Sequence, residues 1–230
     1  MGMLSKRTPV LGHTTTLRVA YGSVKPSIII SSIACGTLAA KGATTISVTG
    51  VTQPIPANNW VLFYDSVTET EVVVKVTAAA ASAASSLTVA PLEAAIPVGA
   101  IATYPPEIMD RTAADLTREG NSEDVQTLNT GGRKLSIVTG ITESISAPGN
   151  WHHLNAGLKN CEQAFGEQKT VWVICEYDKP SAAYSRGEVI LALATLPNCN
   201  RTSPSDNFMV ADMEFNFSGV PDITPPALAV

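Results

Sequence analysis

The chain has 230 residues, which is enough for one large domain with an insert and for a core that needs no covalent staple. Fifteen basic and 20 acidic residues give a net charge of −5, which argues against tight binding of nucleic acid. Only 15% of the residues are charged, so many surfaces are neutral, as in proteins that pack against copies of themselves. An ordinary β-rich core has the same composition.

The start of the chain predicts extended structure. His13–Tyr21 and Ser27–Ile33 have the β-branched and apolar content of strands. No apolar segment is long enough for a signal peptide or a membrane span, so we expect synthesis in the cytoplasm and no membrane partner. The four cysteines lack metal-binding or redox spacing, and we predict buried free thiols at Cys35, Cys161, Cys175 and Cys199.

An internal repeat occupies the middle of the chain. Ala43–Val48 aligns with Ala84–Val89, and Ile55-Pro56 aligns with Ile96-Pro97 at the same offset, without a gap. Each copy predicts a short strand, a turn and further extended sequence, so we expect the two copies to pair into one small β unit. We place this inserted domain at residues 39–104 and the main domain at residues 1–38 and 105–230. Because both copies are rich in small residues, a chance match is the alternative.

The main domain resumes with two predicted strands, Ala114–Arg118 and Leu135–Thr142. The intervening segment Glu119–Lys134 is polar, turn-rich and long for a hairpin connection, so we predict a flexible interaction loop. Its charged candidate contact residues are Glu119, Glu123, Asp124, Arg133 and Lys134.

A single amphipathic helix is predicted between Pro148 and Gly166. Steps of three and four residues create one apolar stripe, formed by Trp151, Leu154, Leu158, Cys161 and Phe165. The opposite face is polar and carries Asn155, Lys159, Asn160 and Gln163. We therefore expect this helix to have one buried side.

Three strands are predicted after the helix. Val171–Cys175 and Glu188–Leu196 are apolar on both faces, as expected of buried strands. In Met209–Ser218, apolar residues alternate with a mainly polar, acidic set that includes Asp212, Glu214 and Asn216. One face of the last strand is therefore core, and the other meets water or a partner. The Pro-rich end from Pro221 predicts an extended arm.

No pattern in the sequence predicts catalysis, a cofactor or a metal site. His152-His153 with Cys161 and Glu162 have suitable residue types for a metal, but adjacent helical residues point about 100° apart. Gly131–Lys134 lacks the frame of a phosphate-binding loop and precedes a strand, so it predicts a turn. We expect a protein that is not an enzyme.

Five segments together resemble the major tail tube proteins of tailed bacteriophages: LTREGNSEDVQTLNTGGRKLSIVTGIT, WHHLNAGLKNCEQAF, TVWVICEY, EVILALATL and MEFNFSG. The resemblance implies a mainly β fold, an antiparallel β-sandwich or barrel with one packed α-helix. The repeat adds a small inserted β unit of two similar halves. The resemblance also implies a structural virion protein whose hexameric rings stack into a hollow tube, the conduit for genome delivery.

The resemblance further implies partners and site residues. The expected partners are other copies of the chain and the terminator, baseplate or tip, tape measure and sheath proteins, while DNA passes through the lumen without specific binding. The expected location is the phage tail, assembled in the host cytoplasm. In such a tube, the alternation in the last strand leads us to expect that Asp212, Glu214 and Asn216 line the lumen. Stacking needs arms and loops, and the candidates here are Glu119–Lys134, the N-terminal segment and the Pro-rich tail. An outer sheet that faces solvent explains the polar strand face equally well.

A different class of protein is the alternative: a β-sandwich decoration or carbohydrate-binding module of a virion. Sugar sites usually present exposed aromatic rings, and Trp151 and Trp172 fall on faces that we predict to be buried. Trp60 and Tyr64 are the candidate exposed pair.

Overall fold

The computed structural model describes residues 15–109, 111, 114–125, 135–202 and 210–228, and for residues 121–125, 135–140 and 202 it describes the backbone only. The predicted fold is confirmed: it is mainly antiparallel β, with one packed helix and a small β unit of two similar halves. Among the described residues, no helix is both long and apolar enough to cross a membrane.

The described elements, in chain order, are β1 Thr16–Tyr21, β2 Ser31–Cys35, β3 Thr45–Thr49, β4 Trp60–Asp65, β5 Thr70–Lys75, β6 Ser86–Thr88, β7 Ile101–Tyr104, β8 Asp115–Val125, β9 Leu135–Ser146, β10 Gly149–Asn150, α1 Ala156–Glu167, β11 Val171–Glu176, β12 Tyr184–Arg186, β13 Val189–Thr202, β14 Val210–Phe217, β15 Asp222–Thr224 and β16 Ala227–Leu228. The main sheet has eight strands: six follow the path β1-β11-β13-β14-β9-β8, β10 pairs with β14, and β15 pairs with β13. The second sheet has six strands, in the order β5-β4-β7-β2-β3-β6, and β12 pairs with β16.

The segment predicted as a flexible loop is mostly strand. β8 continues through Val125 and pairs with β9 down to Leu135, so the prediction of a loop starting at Glu119 is wrong over 119–125. Glu119 and its β9 partner Thr142 are both exposed, so a polar residue is tolerated at this position of the strand. Residues 126–134, with Arg133 and Lys134, lie outside the described residues.

The helix α1 starts later than predicted. Asn155 caps it, because its side chain accepts a hydrogen bond from the Leu158 amide, and Trp151 therefore precedes the helix. The helix ends at Glu167, and the left-handed residue that caps it is Gln168 (φ 53°) and not Gly166. Leu158 and Cys161 face the core of the main sheet, as the stripe predicted, whereas Phe165 is 44% exposed. Ala164, which the stripe did not include, is buried in the same core.

The six-stranded sheet closes into a small barrel. Val76, just after β5, bridges Val89, just after β6, and the Ala90 amide donates to the Lys75 carbonyl (2.9 Å). Its interior is a continuous apolar core that includes Ile33, Ile46, Phe63, Leu87 and Ile96. The sheet begins at β2, before residue 39, so the barrel includes one strand that precedes the insert as bounded from the repeat.

The two repeat copies are related by an approximate twofold axis. Ile46 pairs with Leu87, its own counterpart in the second copy. The offset between the two copies also maps the pair Thr45–Thr88 onto the pair Ser86–Ser47. Matching backbone hydrogen bonds occur in both halves: the Ile55 amide donates to Ala80 (2.9 Å), and the Ile96 amide donates to Ala39 (2.9 Å). The repeat in sequence is thus a repeat in structure, and strands of each half pair with strands of the other half.

The barrel is joined to the main domain through two fully buried asparagines. Asn160 of α1 accepts a hydrogen bond from the Trp60 amide (2.8 Å), and its Nδ2 donates to the carbonyls of Val19 (3.1 Å) and Trp60 (3.4 Å). Asn59 of the barrel accepts from the Tyr21 amide (2.8 Å) and donates to the Tyr21 carbonyl (3.1 Å). The polar side of α1 is therefore buried against the barrel, and the expectation of one buried side is wrong.

The β1 edge of the main sheet is covered by the chain that leaves the barrel. The Val19 amide donates to the Pro106 carbonyl (3.0 Å), and the Ile108 amide donates to the Leu17 carbonyl (2.8 Å). This segment passes close to α1 at Gly157, where a Cβ atom would lie only 2.7 Å from the Glu107 carbonyl oxygen. Glycine is required at this approach. At the opposite edge of the main sheet, no described strand pairs with the outer side of β8.

The chain end predicted as an extended arm folds back onto its own domain within the described residues. β15 pairs with the first residues of β13, and β16 pairs with β12. Residues 229–230, and residues 1–14 at the other terminus, lie outside the described residues.

Candidate functional site

The most distinctive surface of the molecule is one face of the main sheet. In β14, Ala211, Met213 and Phe215 are buried in the core, and the alternate residues Asp212, Glu214 and Asn216 lie on the opposite face. The alternation predicted from the sequence is therefore confirmed for the described strand. Met209, assigned to the apolar side, lies outside the described residues.

Neighbouring strands extend this face in both directions. Residues that pair directly in an antiparallel sheet share a face, so the register assembles the surface. One row joins Asn198, Glu214, Ser146 and Asp115, and the next joins Thr195, Asn216, Ser144 and Thr117. Thr142 and Glu119 extend it on one side, and Asn200 and Asp212 on the other. We call this four-stranded surface the polar face.

The polar face is acidic. It carries four carboxylates, those of Asp115, Glu119, Asp212 and Glu214, and none of its described residues is basic. The basic side chain of β8, Arg118, lies on the opposite face and forms an ion pair with Glu143 (2.7 Å). At pH 7 this surface therefore repels phosphate, over about 8 Å at physiological ionic strength.

A shallow depression of about 440 Å³ lies on the polar face between Glu119 and Glu214, over Ser144 and Ser146. Its lining offers hydroxyl and carboxylate oxygens without a histidine, cysteine or lysine. Such a set can order water and accept hydrogen bonds, but it contains no nucleophile paired with a base. Among the described residues, no three His, Cys, Asp or Glu side chains are grouped so as to hold a metal ion.

The structure brings together residues that the sequence assigned to different places. Glu119, predicted in a loop between rings, lines the same depression as Glu214 and Asn216, predicted in the lumen. Glu123 and Asp124 lie further along β8, where only the backbone is described. Sequence reasoning missed the contribution of β9, because Ser144 and Ser146 form no distinctive motif. Their alternation with buried Ile145 and Ala147 was the available signal.

The aromatic pair proposed for a sugar site is not an open platform. Trp60 is only partly exposed, and its indole nitrogen donates to Gln163 of α1 (2.9 Å). Lys159 and Lys75 lie over its ring, with their Nζ atoms 4.7 and 5.8 Å from the centroid. The expectation of an exposed Trp60 is therefore wrong, because this side chain joins the barrel to the helix. Tyr64 is 43% exposed.

The cysteines are free, as predicted, although only three of them are buried. Cys35, Cys161 and Cys175 are buried, and Cys199 is partly exposed. Burial, together with the nearby Glu162 carboxylate, raises the pKa of the Cys199 thiol to about 11. This thiol is thus protonated at neutral pH.

Comparison with known proteins gave distant structural similarity. No protein-family model matches the chain, and no curated protein sequence matches it. The fold is similar to a chain in the tail of an empty gene transfer agent (GTA) particle, a structure computed with helical refinement and C6 symmetry. The two chains are 12% identical, and the TM-score is 0.41 over 51% of this chain and 84% of that chain. The fold is equally similar to a chain in the virion of a native GTA particle, with 12% identity and a TM-score of 0.41 over 51% of this chain and 87% of that chain.

Proposed function

We propose that this protein is a structural component of a phage-like virion tail, and that its copies form stacked, hexameric rings around a channel for DNA. The polar face is the observation that carries the proposal. A conduit for a polyanion needs a wall that orders water, offers no cation and repels phosphate, and this face combines these properties over four neighbouring strands. In this role Asp212, Glu214 and Asn216 line the lumen.

The uncovered β8 edge supports association between copies. Within the part of the chain that the structure describes, this 11-residue edge strand has no pairing partner on its outer side, and monomeric proteins usually protect such an edge. The opposite edge at β1 is already occupied by residues 106–108, so the two edges are not equivalent. Non-equivalent contacts join copies head to tail and close into rings when the rotation allows it. We propose a structural role without catalysis, in the virion tail, with the tail proteins that contact the ends of the tube as further partners.

Negative-stain electron microscopy over a range of protein concentrations tests the assembly. We expect rings or hollow tubes from the purified protein, because the polar face and the β8 edge are preformed in the single chain. Particles that stay monomeric at every concentration would reject the ring assembly.

A reconstruction of the assembled particle tests the lumen assignment separately. We expect Glu214 on the inner wall, and a double variant Asp212→Lys, Glu214→Lys that retains short double-stranded DNA in co-sedimentation where the wild-type tube does not. The matched control is Glu93→Lys, which makes a charge change of the same sign in the barrel, away from the polar face. Glu214 on the outer wall would reject the lumen assignment and leave the assembly intact.

A further inference from the structure

The twofold symmetry of the barrel points to a second docking surface. In the first half, Trp60 pairs with Lys75 across β4 and β5, and this position of the barrel contacts α1. Under the offset that relates the two repeat copies, Trp60 corresponds to Ile101 and Lys75 corresponds to Ala34. Ile101 and Ala34 pair with each other across β7 and β2. The second half therefore has a surface equivalent to the one that holds the first half on the helix.

This second surface is apolar and exposed. Ile101 pairs with Tyr64 across β4 and β7, and the two side chains are 49% and 43% exposed. We call it the Tyr64–Ile101 patch. Its rim is acidic, since Glu71 lies directly opposite Tyr64 on β5 and the exposed Glu69 ends the turn between β4 and β5. A partner with an apolar centre and a basic rim would complement it.

The far side of α1 has those complementary properties. Phe165 lies two residues after Gln163, about 200° around the helix from the side that contacts the barrel. It is 44% exposed and borders a depression of about 530 Å³ between the end of α1 and β13, lined also by Ala164, Leu196 and Lys169. We call this the Phe165 depression. Lys169 is exposed and gives it a basic rim.

We propose that the Tyr64–Ile101 patch of one copy packs into the Phe165 depression of a second copy, with Glu69 and Lys169 facing across the contact. The helix α1 is then held between its own barrel and that of its neighbour. The contact buries an aromatic ring from each side and pairs opposite charges at its rim. Because the two surfaces differ, each copy can bind two others, which produces a ring or a filament. The proposal rests on the proposed function only in that copies associate.

Charge exchange tests the contact without removing any buried side chain. We expect Lys169→Glu and Glu69→Lys each to raise the concentration of half-maximal association about tenfold, measured by sedimentation velocity. The double variant should return to within about threefold of the wild type, because the opposite charges face each other again. Phe165→Ser should weaken association at least as strongly, with an unchanged circular dichroism spectrum.

Two controls are Lys179→Glu, in an exposed loop, and Thr88→Lys, at an exposed position of β6, a strand that does not neighbour β4 or β7 in the sheet. Both should associate like the wild type. The contact would be overturned if the single charge exchanges left association unchanged. It would also be overturned if the double variant associated as weakly as expected from adding the effects of the two single variants. If the wild type and these variants all form the same rings, the contact fails while the proposed function stands. A wild-type chain that never associates overturns both.

Discussion

The junction between barrel and helix gives the sharpest test of the structure, through Asn160→Ala. Asn160 is fully buried and joins three segments, because it accepts a hydrogen bond from the Trp60 amide and donates to the Val19 and Trp60 carbonyls. Alanine cannot replace these bonds. The substitution leaves one buried amide and one well-bonded carbonyl without their partner, and the third contact, at 3.4 Å, is weak.

The expected cost follows from those contacts. A lost hydrogen bond costs about 1 kcal/mol, and a buried polar group left unsatisfied costs about 1–3 kcal/mol. Alanine is the better helix former and recovers a few tenths of a kcal/mol, since asparagine has a lower intrinsic helix propensity, by about 0.6 kcal/mol. We therefore expect Asn160→Ala to lower the free energy of unfolding by about 2–4 kcal/mol.

Urea unfolding at pH 7, followed by tryptophan fluorescence and circular dichroism, measures this loss. The matched control is Asn150→Ala, at an exposed asparagine, for which we expect a change below about 0.5 kcal/mol. A second outcome is informative: the barrel could separate from the main domain and unfold in its own transition. An Asn160→Ala variant that unfolds in one unchanged transition, with a free energy of unfolding within about 0.5 kcal/mol of the wild type, would refute the reasoning.

Three further predictions concern buried or turn-bound groups. The Tyr104 hydroxyl is buried without a hydrogen-bond partner among the described residues, so Tyr104→Phe should raise the free energy of unfolding by about 1 kcal/mol. The control Tyr21→Phe loses a hydrogen bond to Glu167 and should lower the free energy of unfolding. Destabilisation by Tyr104→Phe would contradict this account. Because the pKa of Cys199 is raised to about 11, roughly one thiol in a thousand is ionised at pH 8, and alkylation by iodoacetamide, followed by mass spectrometry, should be slow there and accelerate up to pH 11. Hydrogen bonds from the Thr68 side chain and the Val67 amide lower the pKa of Asp65, so its contribution to stability is present above about pH 4 and is lost as the pH falls through the lowered value. Asp65→Asn should therefore lose less stability than the wild type between pH 7 and pH 3, and an equal loss in urea unfolding would argue against this account.

Periodicity and repetition in the sequence predicted much of the local structure. The alternation in β14 follows directly from the two-residue period of a strand, and it separated Asp212 and Glu214 from the core without any knowledge of neighbours. The constant offset between the repeat copies predicted that the two copies pair, and Ile46 does pair with Leu87. The alternation depends only on neighbouring residues, and the repeat is found by comparing the chain with itself. The order of residues is therefore sufficient to reveal both features.

Other features were out of reach because they depend on what packs against a residue. Asparagine at position 160 has the same local sequence whether water or the barrel covers it, and only the docking of β4 makes it a buried link. Glu119 has the polarity of a loop residue, and it belongs to a strand because β9 pairs with it. A polar side chain is stable in either setting once its hydrogen bonds are satisfied.

The sequence by itself thus determined the class of the fold, the internal symmetry of the barrel and the two-sided character of the last strand. Only the tertiary structure decided which strands lie beside β14, and so assembled four carboxylates from β8 and β14 into one acidic face. The reason is physical: the side-chain period of a strand is fixed by its own backbone, whereas register and adjacency depend on contacts between residues far apart in the chain.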